Sequence, residues 1–245
     1  MLRRFLVLVC ALSLLGACVP PEESNDKIKR YDPEENIMGQ IQERGVLLIG
    51  VPVDYPPFAI LDDDGVKGFV VDLGNLVAEA LGVKAQFIPA PNRVLLDMVY
   101  SNPKTCAEET DADLVFPMVP ITEKMLAGYT FTDPYWVGHT RSLLDGDTEV
   151  EQGPDVDLLA EAYADHGLEV GGEQQSTEGY GAASRCGTTT FGTIVSQVFN
   201  EADAEGDWSR SYDEWMADYF VDPDPAGVPI MSVEDAAALY PAELD

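Results

Sequence analysis

Beyond the first 36 residues, the spacing of apolar and polar positions predicts helices that alternate with strands. The segment "VLLIGVPV" (46–53) is an unbroken apolar run of strand length, typical of a strand covered on both faces. The segment "GFVVDLGNLVAEALG" (68–82) places its apolar residues on one helical face and ends at Gly82, and we expect Asp72 to cap this helix. The pattern continues with a second strand, a second helix and a third strand, at residues 83–90, 92–101 and 112–119. This alternation predicts an α/β fold with a parallel-rich sheet and right-handed crossovers.

The first 17 residues follow a different pattern. Two arginines precede the apolar run "FLVLVCALSLL", and small residues stand just before Cys18, which is the layout of a cleaved secretory signal. The order "LGAC" resembles the bacterial lipobox, in which the cysteine is diacylated and becomes the new N-terminus, and two acyl chains anchor a protein stably to a membrane. The alternative is an ordinary signal peptide with a chance cysteine near its cleavage site. Residues 18–36 are polar, contain proline and lack a period, so they predict a tether between the lipid and the folded domain.

The amino-acid composition limits the classes of molecule that the protein is expected to bind. Asp and Glu number 44 against 14 Lys and Arg, a formal net charge of −30, which repels nucleic acid and anionic lipid. With Cys10 in the signal segment and Cys18 acylated, Cys106 and Cys186 remain. An exported chain with one such pair favours a disulfide, and two buried free thiols are the alternative, because pairing depends on a geometry that sequence does not give.

Motifs for catalysis or metal binding are missing from the sequence. His139 and His166 are the two histidines, and neither stands in a metal-ligand spacing. Neither a G-x-S-x-G nucleophile motif nor a phosphate-binding loop occurs. The acidic run "LDDDG" (61–65) predicts the polar turn of a β-hairpin. We therefore expect a protein that is not an enzyme and that uses neither a cofactor nor a metal.

Two segments carry a family resemblance. From Gln40 to Leu144, the order of "ERGVLLIGVPVDYPPF", "GFVVDLGNLVAEALG", "ADLVFPMVPITEK" and "YTFTDPYWVG" resembles the first lobe of bacterial extracellular solute-binding proteins of family 3, the receptors for amino-acid uptake by ABC transporters. Near the end, "LEVGGEQQSTEGYGAASRCGTTTFGTIV" and "EGDWSRSYDEWM" resemble the return strand and closing helices of the same proteins. The resemblance implies a type II periplasmic-binding-protein-like fold, an extracytoplasmic location, a small-molecule solute and a membrane ABC permease as partners.

The second lobe of that family is expected to be reduced to a remnant. The hinge-like segments end near Leu144 and resume near Gly179, and a unit of fewer than about 40 residues rarely buries enough apolar surface to fold alone. The stretch "VDLLAEAYADHGLEV" supplies one helix and one short strand. The expected organisation is a signal peptide, a lipid-anchored tether, lobe 1, a remnant of lobe 2, and a return strand with C-terminal helices, at residues 1–17, 18–36, 37–144, 145–178 and 179–245.

Ligands of open α/β sheets bind beyond the carboxyl ends of the strands. By resemblance, Tyr55 and Phe58 of "DYPPF" would line the site, with Tyr55 stacking on an apolar or cationic part of the ligand. The alternative for both aromatic residues is packing within the lobe.

In "FPMVPITEKM" the family offers a small residue, a hydroxyl and an arginine that binds the ligand carboxylate, where this chain has Met118, Pro120 and Met125. Methionine is only a weak acceptor and does not replace a guanidinium. Thr122 and Arg93 complete the candidate ligand-binding set, with a helix cap and a solvated surface base as their alternatives.

The sequence therefore predicts an extracytoplasmic solute-binding lipoprotein of an ABC-type uptake system with weakened or altered binding. A neutral or cationic solute that stacks on an aromatic ring fits the remaining groups better than a free α-carboxylate does. The alternative function is a surface lipoprotein that keeps the scaffold and serves as a protein-interaction module without transport.

Overall fold

The computed structural model describes residues 28–221 and 231–239, so the predicted signal peptide and Cys18 lie outside the described residues. In these two ranges no helix has the length and apolar character needed to cross a bilayer. The helices are α1 Ile37–Arg44, α2 Phe69–Leu81, α3 Asn92–Met98, α4 Glu123–Leu126, α5 Asp155–Ala164, α6 Thr189–Glu205, α7 Asp207–Trp215 and α8 Val233–Leu239, with a 3₁₀ turn at Ala217–Tyr219. The strands are β1 Val46–Pro52, β2 Ile60–Asp62, β3 Gly65–Lys67, β4 Lys84–Ala90, β5 Leu114–Val115, β6 Tyr129–Phe131, β7 Trp136–Gly138, β8 Thr140–Asp145, β9 Thr148–Pro154, β10 Leu168–Gly171, β11 Glu178–Tyr180 and β12 Ala183–Arg185.

A five-stranded sheet with the order β4-β1-β5-β12-β6 forms the large lobe. Strand β1 pairs parallel with both β4 and β5, and β12 runs antiparallel to β5 and β6. The continuous apolar run of β1 follows from this place, because Leu47, Ile49 and Val51 are fully buried at the centre of the sheet. The predicted α/β class with a parallel-rich sheet is confirmed.

Helix α2 has the predicted amphipathic pattern and ends in the left-handed conformation at Gly82, with φ 68°. Its N-cap is Gly68, so the expected cap by Asp72 is wrong. A Cβ at Gly68 would lie 2.6 Å from the carbonyl oxygen of Phe58, which explains the glycine. Asp72 instead accepts hydrogen bonds from Ser211 Oγ at 2.7 Å and Trp215 Nε1 at 2.8 Å, and it thereby ties α2 to α7.

The C-terminal helices complete the large lobe, since α6 and α7 pack on α2. The core between them is aromatic. Phe69 makes edge contacts with Trp136 and Trp208, at centroid distances of 5.8 and 5.4 Å. Trp208 Nε1 donates to the carbonyl oxygen of Tyr135 at 3.2 Å.

Residues 140–171 form a smaller unit, a three-stranded antiparallel sheet with the order β10-β8-β9 and helix α5 packed against it. The predicted helix and short strand of this region are confirmed as α5 and β10, and the hairpin of β8 and β9 adds two further strands. Strand β9 is the outer edge of this sheet, and Glu149, Val150 and Glu151 on it are exposed. The antiparallel pair of β7 and β11 connects the smaller unit to the large lobe.

A disulfide joins Cys106 to Cys186, with a Cα–Cα distance of 5.3 Å. It ties the segment after α3 to the turn between β12 and α6. The turn predicted for "LDDDG" is confirmed as the hairpin between β2 and β3.

Candidate functional site

The rim of the candidate cleft lies where β1 ends and α5 begins. Tyr55 follows β1 with its ring half-buried, and its hydroxyl hydrogen-bonds with Asp157 of α5 and with Asn92 at the start of α3. Burial raises the pKa of Tyr55 to about 12, the carboxylate of Asp157 and the charge of Asp54 add to the rise, and the bond with Asn92 opposes it. The phenol therefore stays protonated near neutral pH. It is a neutral polar group beside two acids.

Asn92 fixes the rim, and sequence reasoning missed it. Its Oδ1 accepts from the backbone N–H of Met118 at 2.8 Å, and its Nδ2 donates to the carbonyl oxygen of Met118 at 3.1 Å. The backbone N–H of Asn92 also donates to Asp54 Oδ1 at 2.7 Å. The backbone and side chain of this one residue thus join the loops after β1, β4 and β5. The signal available in the sequence was an asparagine between the end of a strand and the start of a helix, a position where its side chain often bonds with the backbone.

Phe58 and Met118 do not line the cleft, contrary to the sequence prediction. Phe58 is fully buried and makes edge contacts with the rings of Phe69 and Trp136, at centroid distances of 6.2 and 5.4 Å. Met118 is 3% exposed, and Asn92 occupies its backbone N–H and carbonyl. Both side chains serve the core, because the sheet and helices cover them.

The remaining predicted ligand residues also have other positions or roles in the structure. Thr122 is the N-cap of α4 and accepts from the amide of Met125 at 3.4 Å, so its hydroxyl has the capping role. The side chain of Met125 is partly buried and packs on the smaller core cluster. Arg93 lies exposed on α3. The structure places Tyr55 against α5, and it does not gather the other five residues around it.

The hinge between the two units contains a buried acid. Asp155 is 2% exposed; its Oδ2 accepts from the His139 amide at 3.0 Å, and its own amide donates to the His139 carbonyl at 2.8 Å. Burial raises the pKa of Asp155 to about 7, although the His139 amide and the charge of Arg141 oppose the rise and Glu178 supports it. The Arg141 guanidinium is itself buried, 5.3 Å from the centroid of the Phe220 ring.

A second hydrogen-bonded set holds the returning chain at the hinge. Ser176 Oγ accepts from the Thr140 amide at 2.9 Å, and His139 Nδ1 lies 2.6 Å from the Ser176 carbonyl oxygen. The Tyr180 hydroxyl donates to Glu178 Oε2 at 2.8 Å. The two connecting segments are therefore bonded to each other beside the cleft.

Chemically, the cleft offers an aromatic face, a protonated phenol and carboxylates. This set suits the binding of a positively charged group. Over the described part of the chain, no group of three or more His, Cys, Asp or Glu side chains is placed to hold a metal ion.

The family model for bacterial extracellular solute-binding proteins, family 3, matches residues 47–218. The chain belongs to this family. The matched range contains the large sheet, both hinge segments and the smaller unit, and members of the family act outside the cytoplasm, as the family's name states. The predicted family and fold class are confirmed.

A curated relative of this solute-binding protein is the L-cystine-binding protein TcyJ of Escherichia coli strain K12, with 28% identity over 133 residues. The match covers 54% of this chain and 47% of the relative, so the chain spans about half the length of the curated relatives it matches.

Solved structures with the same fold include an ancestral cationic amino acid solute-binding protein, with 20% identity and a TM-score of 0.59 over 73% of this chain and 98% of that one. A mutant of ArgBP from T. maritima has 19% identity and a TM-score of 0.57, again over 73% and 98% of the two chains. An ancestral cyclohexadienyl dehydratase has 20% identity and a TM-score of 0.57 over 74% and 96%. At these identities the likeness shows the type II periplasmic-binding-protein fold.

Proposed function

We propose that this protein captures a small, positively charged solute of the amino-acid type in the cleft between the carboxyl edge of the large sheet and α5. The main support for this proposal is Tyr55, whose ring is half-buried and whose protonated hydroxyl contacts Asp157 at that cleft. The captured solute is passed to a membrane permease of an ABC-type uptake system, the usual partner of this family.

The charges at the rim favour a cation. Asp157 is exposed at the first turn of α5, and Asp54 adds a second exposed carboxylate beside Tyr55. An aromatic face next to carboxylates attracts an ammonium or guanidinium group through cation–π and ion-pair contacts. The fold neighbours named for arginine and cationic amino acids support a solute of this class, and the relatives named for L-cystine support an amino acid without favouring a positive net charge.

The α-carboxylate of such a solute would need neutral donors. The position at which the family resemblance implies a carboxylate-binding arginine is Met125, which packs on the smaller core. We therefore infer weaker or altered recognition of free amino acids, with the positive charge as the main determinant.

We further infer that residues 145–178 are a reduced second lobe, hinged at the paired strands β7 and β11. The small size of this unit supports the inference, because its complete elements are β9, α5 and β10, and β8 contributes only its last residue, Asp145. The protein would bind without catalysis. A phenol with a pKa of about 12 makes a poor general base near neutral pH.

Lipidation at Cys18 would hold this receptor at the membrane surface, outside the cytoplasm. The sequence "LGAC" supports this anchor. Mass spectrometry of the membrane-extracted protein tests it: a diacylglycerol adduct on Cys18 is expected, and an unmodified cysteine at the mature N-terminus would exclude it.

Isothermal titration calorimetry with L-arginine, L-lysine, L-cystine and L-glutamate tests the proposed solute class. We expect saturable binding of the two cationic amino acids and none of glutamate. Asp157→Asn should weaken that binding about tenfold, because a charge-assisted contact is lost.

The matched control for this experiment is Glu161→Gln, which removes the same charge one turn further along the exposed side of α5. It should leave affinity unchanged. Tighter binding of glutamate than of lysine, or equal losses in the two variants, would overturn the proposed cationic site.

A further inference from the structure

The start of α5 is fastened to the hinge by a reciprocal pair of hydrogen bonds. His139 lies between β7 and β8, and its backbone N–H donates at 3.0 Å to Oδ2 of Asp155, the first residue of α5. The backbone N–H of Asp155 in turn donates to the His139 carbonyl oxygen at 2.8 Å. Two residues further along α5, Asp157 contacts Tyr55 at the candidate cleft. The state of the Asp155 side chain therefore bears on where α5 stands at the cleft.

The hydrogen bonds of Asp155 suit a neutral carboxylic acid. The residue is 2% exposed, and within the described part of the chain its second oxygen, Oδ1, has no hydrogen-bond partner. Burying a carboxylate oxygen without a donor is costly, and burying the neutral acid costs less. Glu178, the other buried acid at the hinge, differs, because Oε1 accepts from Ser176 Oγ at 3.4 Å and Oε2 from the Tyr180 hydroxyl at 2.8 Å. The donors therefore favour a proton on Asp155.

The groups that face Asp155 have opposing effects on its charge. Burial is the largest influence and raises the pKa of Asp155 to about 7; Glu178 of β11 adds to the rise, whereas the His139 amide, the Arg141 guanidinium of β8 and the Trp136 indole oppose it. Among residues 28–221 and 231–239, no ion pair joins Arg141 to Asp155. The other titratable side chains around this site are the His139 ring, Tyr180 and Asp157.

A glycine on β7 makes room for the Asp155 carboxyl group. A Cβ at Gly138 would lie 2.8 Å from Asp155 Oδ1 and 2.8 Å from Cε2 of the Tyr180 ring, closer than real Cβ atoms approach other atoms. A side chain at position 138 would therefore push the carboxyl group and the ring away. By contrast, a Cβ at Gly153 of β9 would meet Leu158 at an ordinary 3.7 Å. The two glycines provide a matched pair of variants.

We propose that Asp155 is a proton-operated latch between the hinge and α5. While the carboxyl group is protonated, α5 stays bonded to the His139 backbone. When the proton is lost, the carboxylate moves to water, the start of α5 leaves the hinge, and Asp157 separates from Tyr55. The proposal rests on the inference that the smaller unit hinges at β7 and β11, and it does not depend on the class of solute.

Linkage gives the pH range of the latch. A side chain that has reached water has an ordinary pKa near 3.8, whereas the latched side chain holds its proton up to about pH 7. The latch is therefore strongest below about pH 4. The equilibrium constant for opening grows about tenfold per pH unit between these two values and levels off above about pH 7.

Amide hydrogen exchange of the full chain without solute, followed by NMR, measures this opening. The rate at the His139 amide, divided by that of an unprotected amide at the same pH, should rise about tenfold per pH unit between pH 5 and pH 6.5. Amides of β1 report global unfolding and should exchange more slowly than His139. A corrected rate at His139 that is independent of pH, or equal to the rate in β1, would overturn the proposal. Calorimetry with solutes remains a separate test of the cleft.

Two pairs of variants make the test sharper. Asp155→Asn imitates the protonated acid and should make the corrected rate at His139 independent of pH, whereas Glu161→Gln, at an exposed position of α5, should keep the parent response. Gly138→Ala should raise the corrected rate at pH 5 roughly tenfold, because the carboxyl group is displaced, and Gly153→Ala should not. If Asp155→Asn does not fold, the glycine pair decides. A parent-like response in Asp155→Asn, or equal rates in the two glycine variants, would overturn the latch.

Tyr55→Phe tests whether the latch and the cleft open together. If opening separates Asp157 from Tyr55, loss of the Tyr55 hydroxyl should raise the corrected rate at His139 roughly fivefold at every pH, because a bond present only in the closed form is gone. Tyr100→Phe removes a hydroxyl from a residue that is 50% exposed and should leave the rate unchanged. The same rate in Tyr55→Phe and the parent protein would overturn the link to the cleft.

Discussion

The two edges of the large sheet offer opposite chemistry. At the carboxyl edge, the charged groups that act on Tyr55 are the carboxylates of Asp54 and Asp157. At the amino edge, Arg44 and Arg185 flank a single buried carboxylate. The net charge of the whole chain, −30, does not describe the local charge at either edge. Local pairing of charges, rather than overall composition, decides what each edge presents to its surroundings.

The edges also differ in how they are held together. Hydrogen bonds of Asn92 join the loops of the carboxyl edge, next to a hinge that contains the buried acid Asp155. A covalent bond between Cys106 and Cys186 braces the amino edge. We therefore expect the carboxyl edge to respond to pH and the amino edge to respond to reduction.

The largest effect is expected from Cys186→Ser. Loss of a crosslink with a sequence separation of 80 residues should lower the free energy of unfolding by roughly 4 to 5 kcal/mol, as the chain-entropy model predicts for a loop of this length. Urea denaturation followed by tryptophan fluorescence measures this loss. Affinity for a cationic amino acid should not change in the same variant.

The double variant Cys106→Ser/Cys186→Ser is the control, and it should match the single variant. A single variant as stable as the parent protein would show that the crosslink does not brace the amino edge.

The next effect concerns the pH dependence of stability and Asp155. Its pKa rises on folding from 3.8 to about 7, so the folded protein holds this proton more tightly than the unfolded chain. The resulting stabilisation is complete below about pH 4 and is lost as the pH rises to about 7, by at most roughly 4 kcal/mol. The charged neighbours Arg141 and Glu178 and the His139 amide face the same carboxyl group and set the size of the effect.

Asp155→Asn removes this titration. Denaturation midpoints from pH 4 to pH 8 should therefore fall less steeply in the variant than in the parent protein. Asp157→Asn, an exposed acid on the same helix, provides the comparison and should keep the parent slope. Parallel slopes for the parent protein and Asp155→Asn would contradict the assignment of the titration to the hinge.

The smallest effect tests whether the Thr122 hydroxyl caps helix α4 or binds the solute. Thr122→Ala should cost about 0.5 to 1 kcal/mol of stability, because the N-cap bond of α4 is lost, and solute affinity should stay the same. Thermal denaturation and calorimetry measure the two quantities. Thr190→Ala, at an exposed position of α6, controls for the loss of a hydroxyl. Weaker solute binding without a loss of stability would return Thr122 to the cleft.

The sequence predicted those features that depend on local pattern. Strand β1 is apolar on both faces because it lies at the centre of a covered sheet, and α2 ends at Gly82 because the chain there turns left-handed. The end of β1, where Tyr55 stands, was predicted at the ligand edge because ligands of such sheets meet strand ends, whereas the family resemblance implied the role of its ring. These conclusions needed no knowledge of distant contacts.

Features that depend on distant partners were missed. One oxygen of Asp72, Oδ2, accepts from residues 139 and 143 positions further along the chain, so a local cap was the wrong expectation. Asn92 finds its partner Met118 at a separation of 26 residues. Phe58 lies three positions from Tyr55, yet it points into the core, and the orientation of two aromatic residues in one turn follows from packing that the sequence does not display.

The outer strand of the smaller sheet has one further consequence. An unpaired strand edge can recruit the same edge of a second molecule and start aggregation. On β9, Glu149 and Glu151 flank the exposed Val150, so two such edges paired around Val150 would bring like charges together. This acidic border should keep copies of the protein apart at high concentration.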